Sequence, residues 1–314
     1  MHFLVSFVYL FPLLLILSTT NIINAISNDV LPELVFAQSL EPSKLASQGN
    51  INNDDYNNDE KIAILTFDDG VKGQIDYAKP ILDKYGFPAT FSVICNNVSQ
   101  SGYMNWNETR QLQDDGYDIA SHTMNHDNLE EMSFEQAKYE ISESKKCLLN
   151  NGIKDVKIFT YPKNGGSEDP KIIEEVSNHY EIARTGTEPL TFLNCSYSSA
   201  NSNNNDQLTS LQNNKVSCTF EREQDKYTIE GWSHDAERKD FGYKDEELLK
   251  RFIDVVNSQS EYNENGVIKA IPVIIYHDIN QTSGYYETSV DLFEKEMKYL
   301  KENDFEIMRL LDLI

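Results

Sequence analysis

One stretch decides the fold of this 314-residue chain: Lys61-Ile62-Ala63-Ile64-Leu65-Thr66-Phe67-Asp68-Asp69-Gly70. Its apolar first half predicts a buried strand, and its end places two carboxylates side by side. Adjacent buried carboxylates are unfavourable, because each loses hydration and raises the pKa of the other. A cation between them, or a proton that one of them must accept, removes this difficulty. Gly70 permits the sharp turn that would direct both side chains into a cleft, although Asp-Gly is also an ordinary turn pair.

From residue 61 onward, short apolar runs alternate with amphipathic segments. The apolar runs predict strands at Ala63–Phe67, Ala89–Ile94, Tyr117–Ser121, Lys157–Tyr161, Glu181–Arg184, Tyr227–Glu230, Ala270–Tyr276 and Phe305–Arg309. The amphipathic segments predict helices at Asp76–Tyr85, Asn105–Asp115, Ser133–Asn150, Pro170–His179, Lys244–Ser258 and Ser289–Asn303. About seven repeats of this alternation predict an α/β fold with a parallel sheet closed, or nearly closed, into a barrel. In such a barrel the chemistry lies on the loops that follow the strands.

The regions outside this alternation have compositions of their own. Residues 1–25 contain no Asp, Glu, Lys or Arg, which is typical of a secretory signal peptide, the alternative being an uncleaved N-terminal anchor. Either one predicts a secreted or cell-surface protein. Residues 26–60 are rich in Asn, Ser, Asp and Gln, so we interpret them as a disordered tether before a single folded domain at 61–314. Residues 191–226 interrupt the alternation and predict a polar surface insertion, which lacks periodicity over Asn194–Asn214.

Charge and cysteine content limit the possible partners and the compartment. The net charge of −24 predicts a surface that repels nucleic acid and anionic polymers and suits a neutral or cationic substrate. The chain has four cysteines, an even number that allows disulfides outside the cytoplasm. Pairing Cys195 with Cys218 would close the insertion and leave Cys95 with Cys147, but the sequence leaves all three possible pairings open. It also leaves the oligomeric state undetermined.

Two histidines follow the predicted strand Tyr117–Ser121 in the sequence His122-Thr-Met-Asn-His126. Their i, i+4 spacing would place both imidazoles on one face of a helical turn, within reach of a single cation. Together with a carboxylate of Asp68-Asp69, they form a set of two histidines and one carboxylate that leaves coordination positions open for water. The alternative is a pair of surface or hydrogen-bonded histidines.

His277 follows the apolar run Ala270–Tyr276, so a polar residue stands at the end of a third predicted strand. A histidine after an apolar strand is usually structural. Here it is the third predicted strand to end in such a group, and a barrel would bring it to the same rim as the other two.

These sequences together resemble the polysaccharide deacetylases of carbohydrate esterase family 4, the NodB homology domain. The resemblance rests on Thr66-Phe67-Asp68-Asp69-Gly70, His122-x-x-x-His126 and Tyr276-His277, and it covers about residues 61–314. It implies a distorted (β/α)7 barrel, related to the TIM barrel, that removes N-acetyl groups from a cell-wall or exopolysaccharide glycan. It also implies one divalent metal, for which Zn²⁺ is the first choice and Co²⁺, Ni²⁺ or Fe²⁺ would also fit.

The same resemblance implies a role for each matching residue. Asp68 would be the general base, and His277 would be the general acid that protonates the departing amine. The metal ligands would be Asp69, His122 and His126. Residues around the substrate and its oxyanion, with a backbone N–H near Lys163 as one donor, would be Tyr161, Pro162, Lys163, Trp232 and Asp235.

Two departures from the family pattern affect these roles. The family usually carries an Arg that braces the catalytic aspartate, and Thr160 stands at that position here. The brace is therefore absent or supplied from elsewhere in the chain. The segment that normally walls the site is represented only by Gly231-Trp232-Ser233-His234-Asp235, where Asp235 could pair with His277 and Trp232 could equally be a core residue.

Three other functions compete with an N-deacetylase. The same site could serve an O-acetyl esterase or a hydrolase of a small cyclic amide. The missing Arg keeps open a degenerate, non-catalytic glycan-binding domain. A purely structural surface protein would have no reason to place these polar groups at strand ends.

Overall fold

The computed structural model of the protein describes residues 61–197, 216–264, 266–282 and 284–314. The predicted signal peptide (1–25) and tether (26–60) lie outside these ranges, as do residues 198–215 of the predicted insertion. Within the described ranges, no helix combines the length and the apolar character needed to cross a membrane.

The order of elements follows the predicted alternation. The strands of the described residues are β1 (Ile62–Phe67), β2 (Thr90–Val93), β3 (Asp118–Ser121), β4 (Ile158–Thr160), β5 (Ile182–Arg184), β6 (Leu190–Tyr197), β7 (Val216–Thr219), β8 (Trp232–Ser233), β9 (Val267–Tyr276), β10 (Asp278–Asn280), β11 (Glu287–Ser289) and β12 (Glu306–Met308). The α-helices are α1 (Lys79–Tyr85), α2 (Trp106–Asp114), α3 (Phe134–Asn150), α4 (Pro170–Ser177), α5 (Glu237–Phe241), α6 (Asp245–Ser258) and α7 (Val290–Glu302). A π-helical turn, Gln74–Ala78, leads directly into α1.

The central sheet curls into a distorted barrel. The strands β5, β4, β3, β2, β1 and β9 lie side by side in this order, and each neighbouring pair is parallel. β8 adds to β9 in parallel, and Arg184 at the end of β5 bridges Ile229 shortly before β8. These pairings lead from one side of the sheet back to the other, so the predicted distorted (β/α)7 barrel is confirmed.

The buried strand β1 shows how the sequence produces this arrangement. All six of its residues are buried, as expected for a parallel strand covered on both faces. The ring of Phe67, its last residue, lies 4.8 Å from the ring of Phe91 on β2 and 5.3 Å from that of Tyr276 on β9. These stacked rings fix the ends of three strands side by side, directly before the polar residues that follow β1 and β9.

Helix ends follow the signals in the sequence. Ser133 and Gln136 form the reciprocal capping box at the start of α3. Asp169 caps α4, which begins at Pro170, and α1 ends at Gly86 in the left-handed conformation.

The predicted insertion contains regular structure that the sequence did not indicate. β6 pairs antiparallel with both β9 and β7. Along β6, Thr191, Leu193 and Cys195 are buried while the residues between them are exposed. The sequence did not reveal this two-residue period, because Thr191 and Cys195, which occupy two of the three buried positions, are not strongly apolar.

The predicted strand at Tyr227–Glu230 is wrong. Glu223–Tyr227 forms a short 3₁₀ helix, and within the predicted range only Ile229 makes a β-bridge, to Arg184. The barrel is closed here by a single bridge followed by the two-residue strand β8.

Two disulfides join the four cysteines as Cys95–Cys147 and Cys195–Cys218. The second links directly opposed residues of β6 and β7. The first ties the segment after β2 to α3 and closes a loop with a sequence separation of 52 residues, which contains both predicted metal-binding histidines.

Candidate active site and metal centre

The carboxyl ends of β1 and β3 bring the predicted metal ligands together. Asp69 Oδ1 lies 3.6 Å from His122 Nε2 and 3.3 Å from His126 Nε2. Ligand atoms of these three residues all lie within 4.8 Å of one another, and Asp69 Oδ1 is buried without a hydrogen-bond partner. A buried carboxylate oxygen facing two imidazole nitrogens is what a divalent cation requires.

The histidines have the protonation that metal ligands need. The Nδ1 atom of the buried His122 lies 2.9 Å from the carbonyl oxygen of Thr160. Because a carbonyl only accepts hydrogen bonds, Nδ1 carries the proton, and the lone pair of Nε2 faces Asp69. Burial lowers the pKa of His126 to about 4, so this imidazole is neutral at neutral pH.

The helical turn expected between the two histidines is wrong. Thr123 and His126 have φ angles of +66° and +64°, in the left-handed region. The loop is held instead by the buried carboxylate of Glu140 on α3, whose Oε2 accepts hydrogen bonds of 2.9 Å from the backbone N–H groups of both Met124 and Asn125. Glu140 thus positions His126 from outside the ligand set, a role that nothing in the local sequence indicated.

The brace that is missing at Thr160 is supplied by Arg184, the last residue of β5. Arg184 Nη2 forms an ion pair with Asp68 Oδ1, and both residues are buried. Thr160 instead shares a 2.8 Å hydrogen bond between its hydroxyl and that of Ser92. The sequence did contain a signal for this role. Arg184 is a charged residue at the carboxyl end of a predicted strand, and Asp68 lies at the carboxyl end of β1 in the same way.

The charge of Asp68 follows from its neighbours. Burial alone would raise the pKa of this carboxyl, but the positive charges of Arg184 and His277 outweigh burial and lower the pKa to about 2. Asp68 is therefore ionised at neutral pH and available to accept a proton.

His277 is held by a carboxylate on its other side. Its Nδ1 lies 2.8 Å from Asp235 Oδ1, and its backbone N–H donates to Asp235 Oδ2 at 2.7 Å. Burial lowers the pKa of His277, but the charge of the buried Asp235 overcomes this and raises it to about 9. The imidazole is consequently protonated at neutral pH, the state of a general acid.

A second buried pair lies directly behind this one. His234 Nε2 lies 2.7 Å from Glu296 Oε1, and the hydroxyl of Tyr276 donates to Glu296 Oε2 at 2.9 Å. His234 directly precedes Asp235 in the chain, and Tyr276 directly precedes His277. Glu296 of α7 therefore holds together the segment that carries the predicted acid, His277, and the segment that carries its partner, Asp235.

All the predicted acid, base and ligand residues line one cavity of about 640 Å³. Tyr161, Lys163 and Trp232 also line it, and Trp232 donates from Nε1 to Glu237 Oε1 at 2.9 Å. Pro162 and Asp235, predicted to lie around the substrate, are buried and are not among the residues of the cavity wall. Asp235 contacts His277 instead, so its influence on a ligand is exerted through that imidazole.

The curled barrel gathers these polar groups at one rim, and part of the chain is similar to known deacetylases. Residues 55–182 match the family model described as polysaccharide deacetylase. YxkH of Bacillus subtilis, whose name places it among the polysaccharide deacetylases, is 30% identical over 130 residues, covering 41% of this chain and 46% of YxkH. A peptidoglycan-N-acetylglucosamine deacetylase of Bacillus cereus is 32% identical over 108 residues, covering 33% of this chain and 47% of that protein.

These matches cover part of each protein, and the chain spans about half the length of both relatives. A solved structure extends the likeness across the fold. The crystal structure of a peptidoglycan N-acetylglucosamine deacetylase with 4-naphthalen-1-yl-N-oxidanyl-benzamide matches 83% of this chain and 90% of its own, with a TM-score of 0.51 and 16% identity. At this identity the comparison shows the common fold.

Proposed function

We propose that this protein is an extracytoplasmic, metal-dependent deacetylase that hydrolyses N-acetyl groups of a glycan containing N-acetylhexosamine. The observation that carries the proposal is the presence in one cavity of an ionised base, a protonated acid and a cluster of three metal-ligand side chains. The match of residues 55–182 to the polysaccharide deacetylase family model supports the reaction class. The apolar N-terminal 25 residues and the two disulfides support the location.

The cluster of Asp69, His122 and His126 fits a divalent cation, since its carboxylate oxygen is buried without a partner and His122 presents a free lone pair. A cation bound there would polarise the acetyl carbonyl and acidify a water molecule. Nitrogen and oxygen ligands of this kind favour Zn²⁺, and Co²⁺, Ni²⁺ and Fe²⁺ remain compatible with them.

Asp68 accepts a proton from the attacking water. Its carboxylate is already ionised, and Arg184 fixes its orientation from the side of β5. The developing oxyanion receives a hydrogen bond from a backbone N–H near Lys163, whose φ of +54° bends the chain at the cavity wall.

His277 donates a proton to the nitrogen as the carbon–nitrogen bond breaks, so that an amine leaves rather than an amide anion. The products are acetate and the free amino sugar. This acid favours an amide substrate over an acetyl ester, because an alkoxide leaves more readily than an amide anion and needs less protonation. The O-acetyl esterase is therefore a secondary candidate for the same site.

The test measures acetate released by the zinc-loaded protein from N-acetylglucosamine oligomers of chitin type, peptidoglycan type and β-1,6 linkage. We expect release from at least one of them, its abolition by a chelator, and its restoration by added Zn²⁺. The Asp68→Asn variant should release acetate at least about a hundredfold more slowly. No release from any oligomer, or full activity of Asp68→Asn, would overturn the proposal.

A further inference from the structure

Two exposed aromatic side chains stand on the wall of the catalytic cavity. Phe241, the last residue of α5, is 65% exposed, and Tyr286, just before β11, is 39% exposed. Scattered exposed apolar residues are ordinary. Here, however, two such residues from different segments of the chain line the same cavity, and the Tyr286 ring lies 5.1 Å from that of His277.

We propose that Phe241 and Tyr286, which we call the aromatic rim, bind the sugar ring next to the one that is deacetylated. This inference rests on the proposed function, because it places the neighbouring sugar on the His277 side of the same cavity. It predicts that the protein recognises an oligomer rather than a single N-acetylated sugar.

The backbone at the aromatic rim adopts the left-handed conformation at two positions. Tyr286 has a φ of +56°, in the left-handed region that aromatic residues rarely adopt. Strained conformations of this kind concentrate where a side chain must be held in a particular direction for binding. Gly242, with a φ of +72°, ends α5 directly after Phe241.

A buried arginine fixes the two sides of the aromatic rim relative to each other. Arg238 on α5 donates from Nε to the backbone carbonyl of Glu287 at 2.9 Å. The carboxylate of Glu287 in turn accepts a 2.8 Å hydrogen bond from the hydroxyl of Thr282, which fastens the turn that presents Tyr286. The rim is therefore attached to a buried support and is not a pair of independent surface side chains.

The chemistry of the aromatic rim suits a neutral pyranose. The apolar C–H face of a sugar stacks on an aromatic ring, while its hydroxyls need polar partners around the edge. Lys239 Nζ lies 5.3 Å from the Tyr286 ring centroid, and the exposed Asp240 lines the same cavity. Two side chains offer far less than the roughly 800 Å² per partner of a stable protein interface, so a sugar is the better occupant than a protein or a second copy.

The experiment measures the affinity of the zinc-loaded Asp68→Asn protein for the N-acetylglucosamine tetramer and for the monomer by calorimetry. Adding Phe241→Ala or Tyr286→Ala should raise the Kd for the tetramer about tenfold and change that for the monomer less than about twofold. Phe241→Trp should keep the tetramer affinity. Tyr139→Ala is the matched control, since Tyr139 is 54% exposed on α3 and does not line the cavity.

An unchanged tetramer affinity in both alanine variants, or no tetramer binding by the Asp68→Asn parent, would overturn the inference. So would an equal loss for tetramer and monomer. Acetate release by the wild-type protein is measured separately and tests the proposed function. Rim-dependent binding without acetate release would refute the enzyme and keep the sugar site, whereas acetate release with rim-independent binding would do the reverse.

Discussion

A buried ion pair joins Arg184 to Asp68, although 116 residues separate them in the chain. The two residues end β5 and follow β1, which are not neighbours in the sheet, so the pair forms across the mouth of the barrel. Asp68 has no other guanidinium among its hydrogen-bond partners in the described residues. The orientation and ionised state of the proposed base therefore depend on this one contact more than on any other.

Arg184→Met should lower kcat for acetate release about a hundredfold, because Asp68 loses both its positioning and the charge that keeps it ionised. The change also leaves a buried carboxylate without its partner, which costs about 3–5 kcal/mol of unfolding free energy. Acetate release per folded molecule and urea unfolding measure the two effects separately.

Arg184→Lys is the control for charge, and we expect it to recover part of the activity because a lysine keeps the charge but not the planar fork. The proposed brace would be refuted if Arg184→Met, shown to be folded, deacetylated at the wild-type rate.

The sequence located the strand-end residues of the site because a parallel barrel brings the carboxyl ends of its strands together. Asp68, His122 and His277 each follow a strand directly, and Asp69 comes one residue later, so local pattern and barrel topology were enough to predict their neighbourhood. Arg184 was missed because its contact with Asp68 depends on the curvature of the whole sheet.

The loop that carries His126 marks a second limit. Its conformation is set by the Glu140 carboxylate, which arrives from α3. No local propensity encodes that contact, and the i, i+4 spacing alone favoured a helical turn that does not form. The aromatic rim was missed for a related reason, since Phe241 and Tyr286 come to line one cavity through the folding of distant segments, which Arg238 joins.

Metal binding gives a test that does not depend on knowing the substrate. The protein should bind one Zn²⁺ per chain, and His122→Ala should abolish binding at micromolar zinc because a ligand on the most buried side of the cluster is lost. Equilibrium dialysis with elemental analysis measures the stoichiometry. His179→Ala is the control, since the imidazole of His179 pairs with Glu175 of α4 and is not part of the cluster. Equal zinc content in both variants would refute the site.

Glu140→Ala should weaken zinc binding about 10–100-fold without removing a ligand, because the loop before His126 loses the carboxylate that holds two of its backbone N–H groups. Competition with a zinc-binding dye measures the change. Glu143→Ala on the same helix is the control, as its carboxylate pairs with the exposed Lys146. A zinc affinity that is the same in both variants would show that Glu140 only stabilises the fold.

Asp235 determines the pH range over which His277 can act as an acid. Because the pKa of His277 is raised to about 9, the protonated fraction is nearly complete at neutral pH and is lost as the pH rises through 9. Acetate release should therefore fall on the alkaline side with a midpoint near 9. Asp235→Asn removes the charge that raises this pKa, so the midpoint should move toward the ordinary histidine value, about two pH units lower.

The measurement is kcat/KM for acetate release from pH 6 to pH 10 in the wild-type protein and the variant. Asp240→Asn is the matched control, because Asp240 lies on the same cavity wall without contacting His277 and should leave the alkaline midpoint unchanged. If Asp235→Asn loses activity equally at every pH, Asp235 serves only to position the imidazole. If the midpoint stays near 9, some group other than His277 supplies the proton to the departing amine.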